Sequence, residues 1–134
     1  MKNIIITLLF VFVLVSLSAG CSYYSTDLKA FLGISIRDLE KARDHGNKQI
    51  FPMSFETAFG KVKEIIEVNN LTIYQINKKE GYIVAMGFPK QTNTTRVGIF
   101  LEPLSDNETE ITLSSLSSTA LEKATPIIFG GLER

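Results

Sequence analysis

The hydrophobic positions change their spacing along the chain, and each change marks an element. Phe55, Ala58, Phe59, Val62, Ile65 and Ile66 recur at 3.6-residue spacing, while Glu56, Lys63, Glu64 and Glu67 fall on the opposite side. Ser54 stands where an N-cap belongs, and Asn69 and Asn70 suit a left-handed helix end. This stretch predicts an amphipathic core helix over 54–69. Beyond it the period drops to two. Leu71–Asn77, Tyr82–Phe88, Thr95–Leu101 and Thr109–Ser115 read as strands, each with one apolar face. Their connections are short and polar: a tight turn at 78–81, whose Gly81 accepts a positive φ, a loop at 89–94 and a turn cluster at 103–108. Short connections favour an antiparallel meander over parallel crossovers. Ahead of the helix, 48–53 is a further strand with Ile50 and Phe51, which Pro52 confines to an edge or an end.

Two helical patterns flank this unit. Over 27–46, Leu28, Phe31, Leu32, Ile36, Leu39 and Ala42 keep helical spacing, broken by Gly33. Ser35 with Asp38 has the form of a capping box and Gly46 suits a left-handed end, which predicts a helix from Ile36 to about Asp44. Near the C-terminus, residues 117–119 can cap a helix carrying Leu121, Ala124, Ile128 and Leu132. Pro126 and the Gly130, Gly131 pair weaken it, so a later start with Thr125 as N-cap and Pro126 in the first turn is the alternative. The predicted fold class is α+β: a two-layer sandwich of an antiparallel β-meander with one amphipathic helix across one face (β-α-β-β-β-β), plus flanking N- and C-terminal helices.

The chain begins with Lys2 and a twelve-residue apolar run, Ile4 to Val15, in the form of a secretory signal peptide. As a helix this run reaches only ~18 Å, against a hydrocarbon core of ~30 Å, and is too short to span a membrane. It leads into Leu17-Ser18-Ala19-Gly20-Cys21. Small residues followed at once by the chain's single cysteine resemble the lipobox of bacterial lipoproteins, with one departure: Ser18 occupies the position where that family usually has Leu. The resemblance implies cleavage between Gly20 and Cys21, lipidation of the Cys21 thiol and acylation of the new amino terminus. More than one acyl chain gives stable anchoring, where a single chain binds only marginally. The expected organisation is a signal peptide over 1–20, a lipidated cysteine and tether over 21–26, and one domain over 27–134. Ser22 lacks the Asp that the family uses for inner-membrane retention, so in a diderm host the expected location is the outer membrane, facing the periplasm.

Composition adds exclusions. Without residues 1–20 the chain keeps 114 residues, enough for one hydrophobic core, with 13 basic and 14 acidic residues in mixed order. No basic field is present to draw nucleic acid. With no second cysteine, stability must come from packing and not from disulfides. Tyr23 and Tyr24 in the tether suit a membrane interface, as they suit an ordinary linker.

Candidate chemistry is sparse. His45, the one histidine, lies at a helix end, where capping or solvent contact is the expected role; a zinc site would lack further ligands. Ser114, Ser115, Ser117 and Ser118 lack a nucleophile elbow and are expected at a strand edge and a helix cap. Asp106, Glu108 and Glu110 form the one carboxylate cluster, without the spacing of a calcium loop. No catalytic residue, cofactor or metal is expected.

The strings RDLEKAR at 37–43, VGIF at 97–100 and SSLSSTALEK at 114–123 resemble those of small bacterial envelope lipoproteins to which no activity is attached. In element order the chain is similar to the helix-grip domains of the C-type accessory lipoprotein of the outer-membrane β-barrel assembly machinery. Neither likeness carries a function; the absence of recognisable chemistry and the extra helices outside the central α+β unit lead to the expectation of a membrane-anchored, non-enzymatic interaction module, with membrane lipid and another envelope protein as partners. The alternative expectation is a small hydrophobic-ligand binding module, with a cavity lined by Phe59, Val84, Met86 and Phe100. The docking reading rests on Leu28, Phe31, Leu32 and Leu39, which are offered to a partner if the domain itself does not bury them.

Overall fold

The computed structural model describes residues 36–92 and 94–134. The elements run α1 (Ile36–Lys41), a 3-10 turn (Ala42–His45), β1 (Asn47–Phe51), α2 (Phe55–Val68), β2 (Thr72–Asn77), β3 (Tyr82–Met86), β4 (Arg96–Ser105), β5 (Glu108–Ser114) and α3 (Ser118–Leu132). The five strands form one antiparallel sheet in the order β1-β5-β4-β3-β2. The meander β2 to β5 is the one the short connections predict. β1 joins it beside β5, so α2 must cross from one edge of the sheet to the other before the chain starts β2.

Local sequence explains each end of α2. The Ser54 side chain accepts from the Thr57 N–H at 3.3 Å, closing the first turn. At the other end Asn70 takes φ 54°. There the Leu71 N–H bonds to the Ile66 carbonyl at 2.9 Å and the Asn70 N–H to Glu67 at 3.0 Å, a Schellman motif with Asn in the left-handed position. Between these caps Ala58, Phe59, Val62, Ile65 and Ile66 are buried, the stripe that the spacing predicts.

α3 begins early. Ser117 caps it by accepting from the Ala120 N–H at 3.2 Å, and Pro126 lies inside the helix, so the late start at Thr125 is not the one adopted. The Thr125 hydroxyl instead donates back to the Leu121 carbonyl at 2.7 Å, within the turn that Pro126 interrupts. α3 is also more than a flanking helix. It lies beside α2 on the same face of the sheet, where Ala120, Ala124, Ile128, Phe129 and Leu132 join the core. The two helices approach closely at Gly131, where a Cβ would meet the Ile65 side chain at 2.8 Å.

The main core fills the space between this helical layer and the sheet's inner face, which presents Ile83, Ala85, Val97, Ile99, Leu101, Ile111 and Leu113. The outer face is also buried where β3, β4 and β5 meet: Tyr82, Val84, Phe100, Thr112 and Ser114 are each 4 % exposed or less. Thr112 and Ser114 therefore do not face water, as one-sided alternation would have them do. α1 and the 3-10 turn lie on these two strands, with Leu39 fully buried and the Arg43 guanidinium 4.7 Å from the centre of the Phe100 ring.

Three local expectations are corrected. The first helix is α only to Lys41 and tightens into the 3-10 turn. Gly46 is extended, at φ −81° and ψ 167°, and not left-handed. Its reason is space, since a Cβ there would lie 2.3 Å from the Leu113 carbonyl oxygen. The turn cluster at 103–108 contracts to Asp106 and Asn107, because β4 continues through Pro103 to Ser105 with a bulge. Proline is tolerated there for a specific reason. The Leu101 N–H points to the β3 side, bonding Gly81 at 2.7 Å, and β3 has ended before the chain reaches Pro103. Gly81 itself, at φ 71°, turns the β2-β3 hairpin as expected.

Replacing Ile66, which is fully buried, by Ala is expected to cost about 2–5 kcal/mol in chemical denaturation, while Lys63→Ala on the exposed face stays within about 0.5 kcal/mol of wild type. Equal losses from both would place the wrong face of α2 against the sheet.

Candidate functional site

Gly20 and Cys21, the residues of the expected cleavage and lipidation, lie outside the described residues, as do Leu28, Phe31, Leu32 and Ser35. Among the described residues no helix is long and apolar enough to cross a membrane. The other sequence candidates can be placed one by one.

Three of the four serines are committed to structure, and Ser118 is exposed in the first turn of α3. Ser114 is fully buried and its hydroxyl donates to the Leu39 carbonyl at 2.7 Å, pinning α1 to β5. Ser115 donates to the Arg96 carbonyl at 2.8 Å and accepts from the Ser117 N–H at 3.2 Å, while Ser117 caps α3. Three hydroxyls thus tie one strand end to α1, to β4 and to the following helix. Each already carries a partner on the backbone, and His45 is exposed at the end of the 3-10 turn.

The carboxylates do not converge either. Asp106 sits in the β4-β5 turn, Glu108 is exposed, and Glu110 bonds to Lys48 across the β1-β5 pair at 3.0 Å. A cross-strand pair of this kind contributes a few tenths of a kcal/mol, roughly, to a sheet edge. Among the described residues no group of three or more His, Cys, Asp or Glu side chains is placed to hold a metal ion.

The four residues expected to line a ligand cavity are separated by the sheet. Phe59 belongs to the inner core, whereas Val84, Met86 and Phe100 alternate with Ile83, Ala85 and Ile99 and so lie on the outer face. They cannot enclose one space. The error comes from joining apolar residues of adjacent strands without tracking the pleat. Leu39, expected to be offered to a partner, is likewise buried within the domain.

Two open hollows remain. One, of about 570 Å³, follows the α2-α3 seam over Ile65, Val68, Pro126, Ile127 and Gly131, with Lys61, Glu64 and Arg134 at its rim. The other, of about 360 Å³, lies at the β2-β3 turn against Phe55, Phe100, Leu101 and Pro103. Its charged residues are already paired in part, Arg43 with Glu102 at 3.7 Å and Lys78 with Glu56. Neither collects charge of one sign.

The feature that residue patterns did not single out is the outer edge of β2. Tyr74 and Ile76 are each 44 % exposed there, and Val68 at the end of α2 is 69 % exposed. The Arg96 guanidinium lies 3.8 Å from the centre of the Tyr74 ring and holds it on the outer face. The signal available in the sequence was the uncharged stretch from Val68 to Asn77, the longest between the tether and the end of the chain that is so rich in β-formers.

Comparison with known protein families and with curated proteins finds no match to this chain.

Because Ser114 links α1 to β5, Ser114→Ala should lower stability by about 1 kcal/mol and raise amide exchange in α1 more than in β5. Unchanged exchange in α1 would show that this hydrogen bond does not hold the helix.

Proposed function

We propose that the chain is an exported bacterial envelope lipoprotein, held to a membrane by acylated Cys21, whose folded part acts as a non-enzymatic docking module. The observation that carries this reading is the apolar leader followed by Leu17-Ser18-Ala19-Gly20-Cys21, with no other cysteine in the chain. In a diderm host the domain stands in the periplasm on the outer membrane.

Support for docking over catalysis comes from how the polar groups are used. The serine hydroxyls hold backbone carbonyls and a helix N-terminus, and Glu110 is taken up by Lys48. Support for docking over ligand carriage comes from the filled space between the helices and the sheet. Leu39 is no part of a docking surface, because it is buried within the domain; Leu28, Phe31 and Leu32 lie outside the described residues. The docking surface is better sought at the exposed apolar positions around β2.

The test is acylation. Wild-type protein should fractionate with membranes and incorporate labelled fatty acid, whereas Cys21→Ser should incorporate none and accumulate as unprocessed precursor or in the soluble fraction. Equal labelling of the two would defeat the anchor assignment. Co-purification of a stoichiometric lipid with the intact domain of a washed preparation would favour the carrier reading.

A further inference from the structure

The sheet has two edges, and they are built differently. β1 carries the charged Lys48, ends at Pro52 and has its Asn47 and Gln49 side chains bonded to Thr125 and Glu133 around α3. Such features blunt an edge against further strands. β2, of sequence TIYQIN, has no charge, no proline and no glycine. Of the six large apolar side chains exposed among the described residues, Val68, Tyr74 and Ile76 border it.

The bulge in β2 gives this edge a symmetry. Its register passes from Ile73 opposite Ala85 to Gln75 opposite Val84, with Tyr74 the extra residue. Thr72, Gln75 and Asn77 pair with Met86, Val84 and Tyr82, all outer-face positions, while Ile73 and Ile76 pair with the inner-face residues Ala85 and Ile83. Tyr74 lies on the outer side, under Arg96. The order of faces along β2 is therefore out, in, out, out, in, out, which reads the same in both directions. Regular alternation centres a two-fold axis on a single residue; the bulge instead centres it between Tyr74 and Gln75, so that all six residues of the strand can pair with like-facing partners.

The geometry points to a second copy of this chain as the occupant of the β2 edge, paired antiparallel about a two-fold axis between Tyr74 and Gln75. This register sets Ile73 against Ile76 of the other copy on the inner face, Tyr74 against Gln75 on the outer face, and Thr72 against Asn77. Apolar cross-strand pairs of that kind stabilise a ladder, and a two-fold interface uses one patch twice. At the strand ends, Lys79 follows β2, between Lys78, which pairs with Glu56, and Glu80, while Glu67, exposed in the last turn of α2, precedes it, so reversal brings Lys79 of each copy toward Glu67 of the other. The result is one continuous ten-stranded sheet across two domains, built from two of the five-stranded sheets. This inference names a partner within the docking reading, but it rests on the β2 edge and not on the anchor.

The experiment is disulfide trapping of the full chain in the cells that express it. Thr72→Cys and Asn77→Cys chains carrying different epitope tags are co-expressed and mildly oxidised. A mixed covalent dimer should form, while either variant alone, wild type with Cys21 only, and a co-expressed Lys48→Cys and Ile50→Cys pair on β1 should give none above background. Adding Ile76→Lys to both chains should abolish the dimer. Ile76 is half exposed, and an unchanged thermal melt of that variant shows that the fold persists. Absence of the mixed dimer, its survival with Ile76→Lys, or equal trapping on β1 would overturn the proposal. Trapping of a different protein at Thr72→Cys in place of a second copy would also overturn it, while leaving the docking function standing; failure of fatty-acid labelling alone would remove the anchor and leave the pairing intact.

Discussion

The constraint on which the rest of the structure depends is that β4 and β5 are buried on both faces. A single sheet with one helical layer has a dry side and a wet side, and its strands then alternate cleanly. Here the inner positions Val97, Ile99, Leu101, Ile111 and Leu113 meet the helices, while Gly98, Phe100, Thr112 and Ser114 close the other side. Gly98 leaves the room that the Phe100 ring occupies, since a Cβ on it would stand 2.6 Å from that ring. The small hydroxylated residues beside it let α1 come close enough for the Ser114 hydroxyl to reach the Leu39 carbonyl. The N-terminal helix is thus a piece of the fold. It closes a face that would otherwise expose Phe100 and Val84.

Once both faces of the central strands are occupied, the surface left open among the described residues is that of the sheet edges and the helical layer. The helical surface is broken by mixed charge along the α2-α3 seam. The edges differ in kind, one tied by side chains to α3 and the other uncharged and apolar. The hydroxyls of Ser114, Ser115 and Ser117 make internal ties, and the β2 edge is the one without charge or proline. Anchoring such a domain to a bilayer would restrict it to a plane, where weak strand pairing suffices.

The sequence is legible wherever one signal dominates. The stripe of α2, with Ser54 and Asn70 at its ends, comes through unchanged because propensity, capping and burial agree there. The meander follows from connection lengths alone. Errors occur where a residue type has two physical uses. Gly46 reads as a left-handed helix end, yet it serves close approach to β5. Pro103 reads as a turn, yet it sits in a strand at a point where the neighbouring strand has ended. At Pro126 the sequence leaves an early and a late start open, and the early one holds because the Ser117 cap and the buried stripe of α3 outweigh one lost hydrogen bond. The candidate site was less legible, because its main feature depends on a bulge. No local pattern reveals that Tyr74 and Gln75 share a face; that becomes visible only when β3 and β4 are set beside β2.

The middle of the sheet is held from both sides, with α1 as a structural part of the outer layer. Native-state hydrogen exchange tests this most directly. Amides of β4 and β5 should exchange only through global unfolding, and those closing α1, at residues 40–43, should show protection well above that of an unfolded peptide. If α1 exchanges at the unfolded rate while β4 and β5 remain protected, the helix is an appendage and the outer face is open, contrary to the structure described.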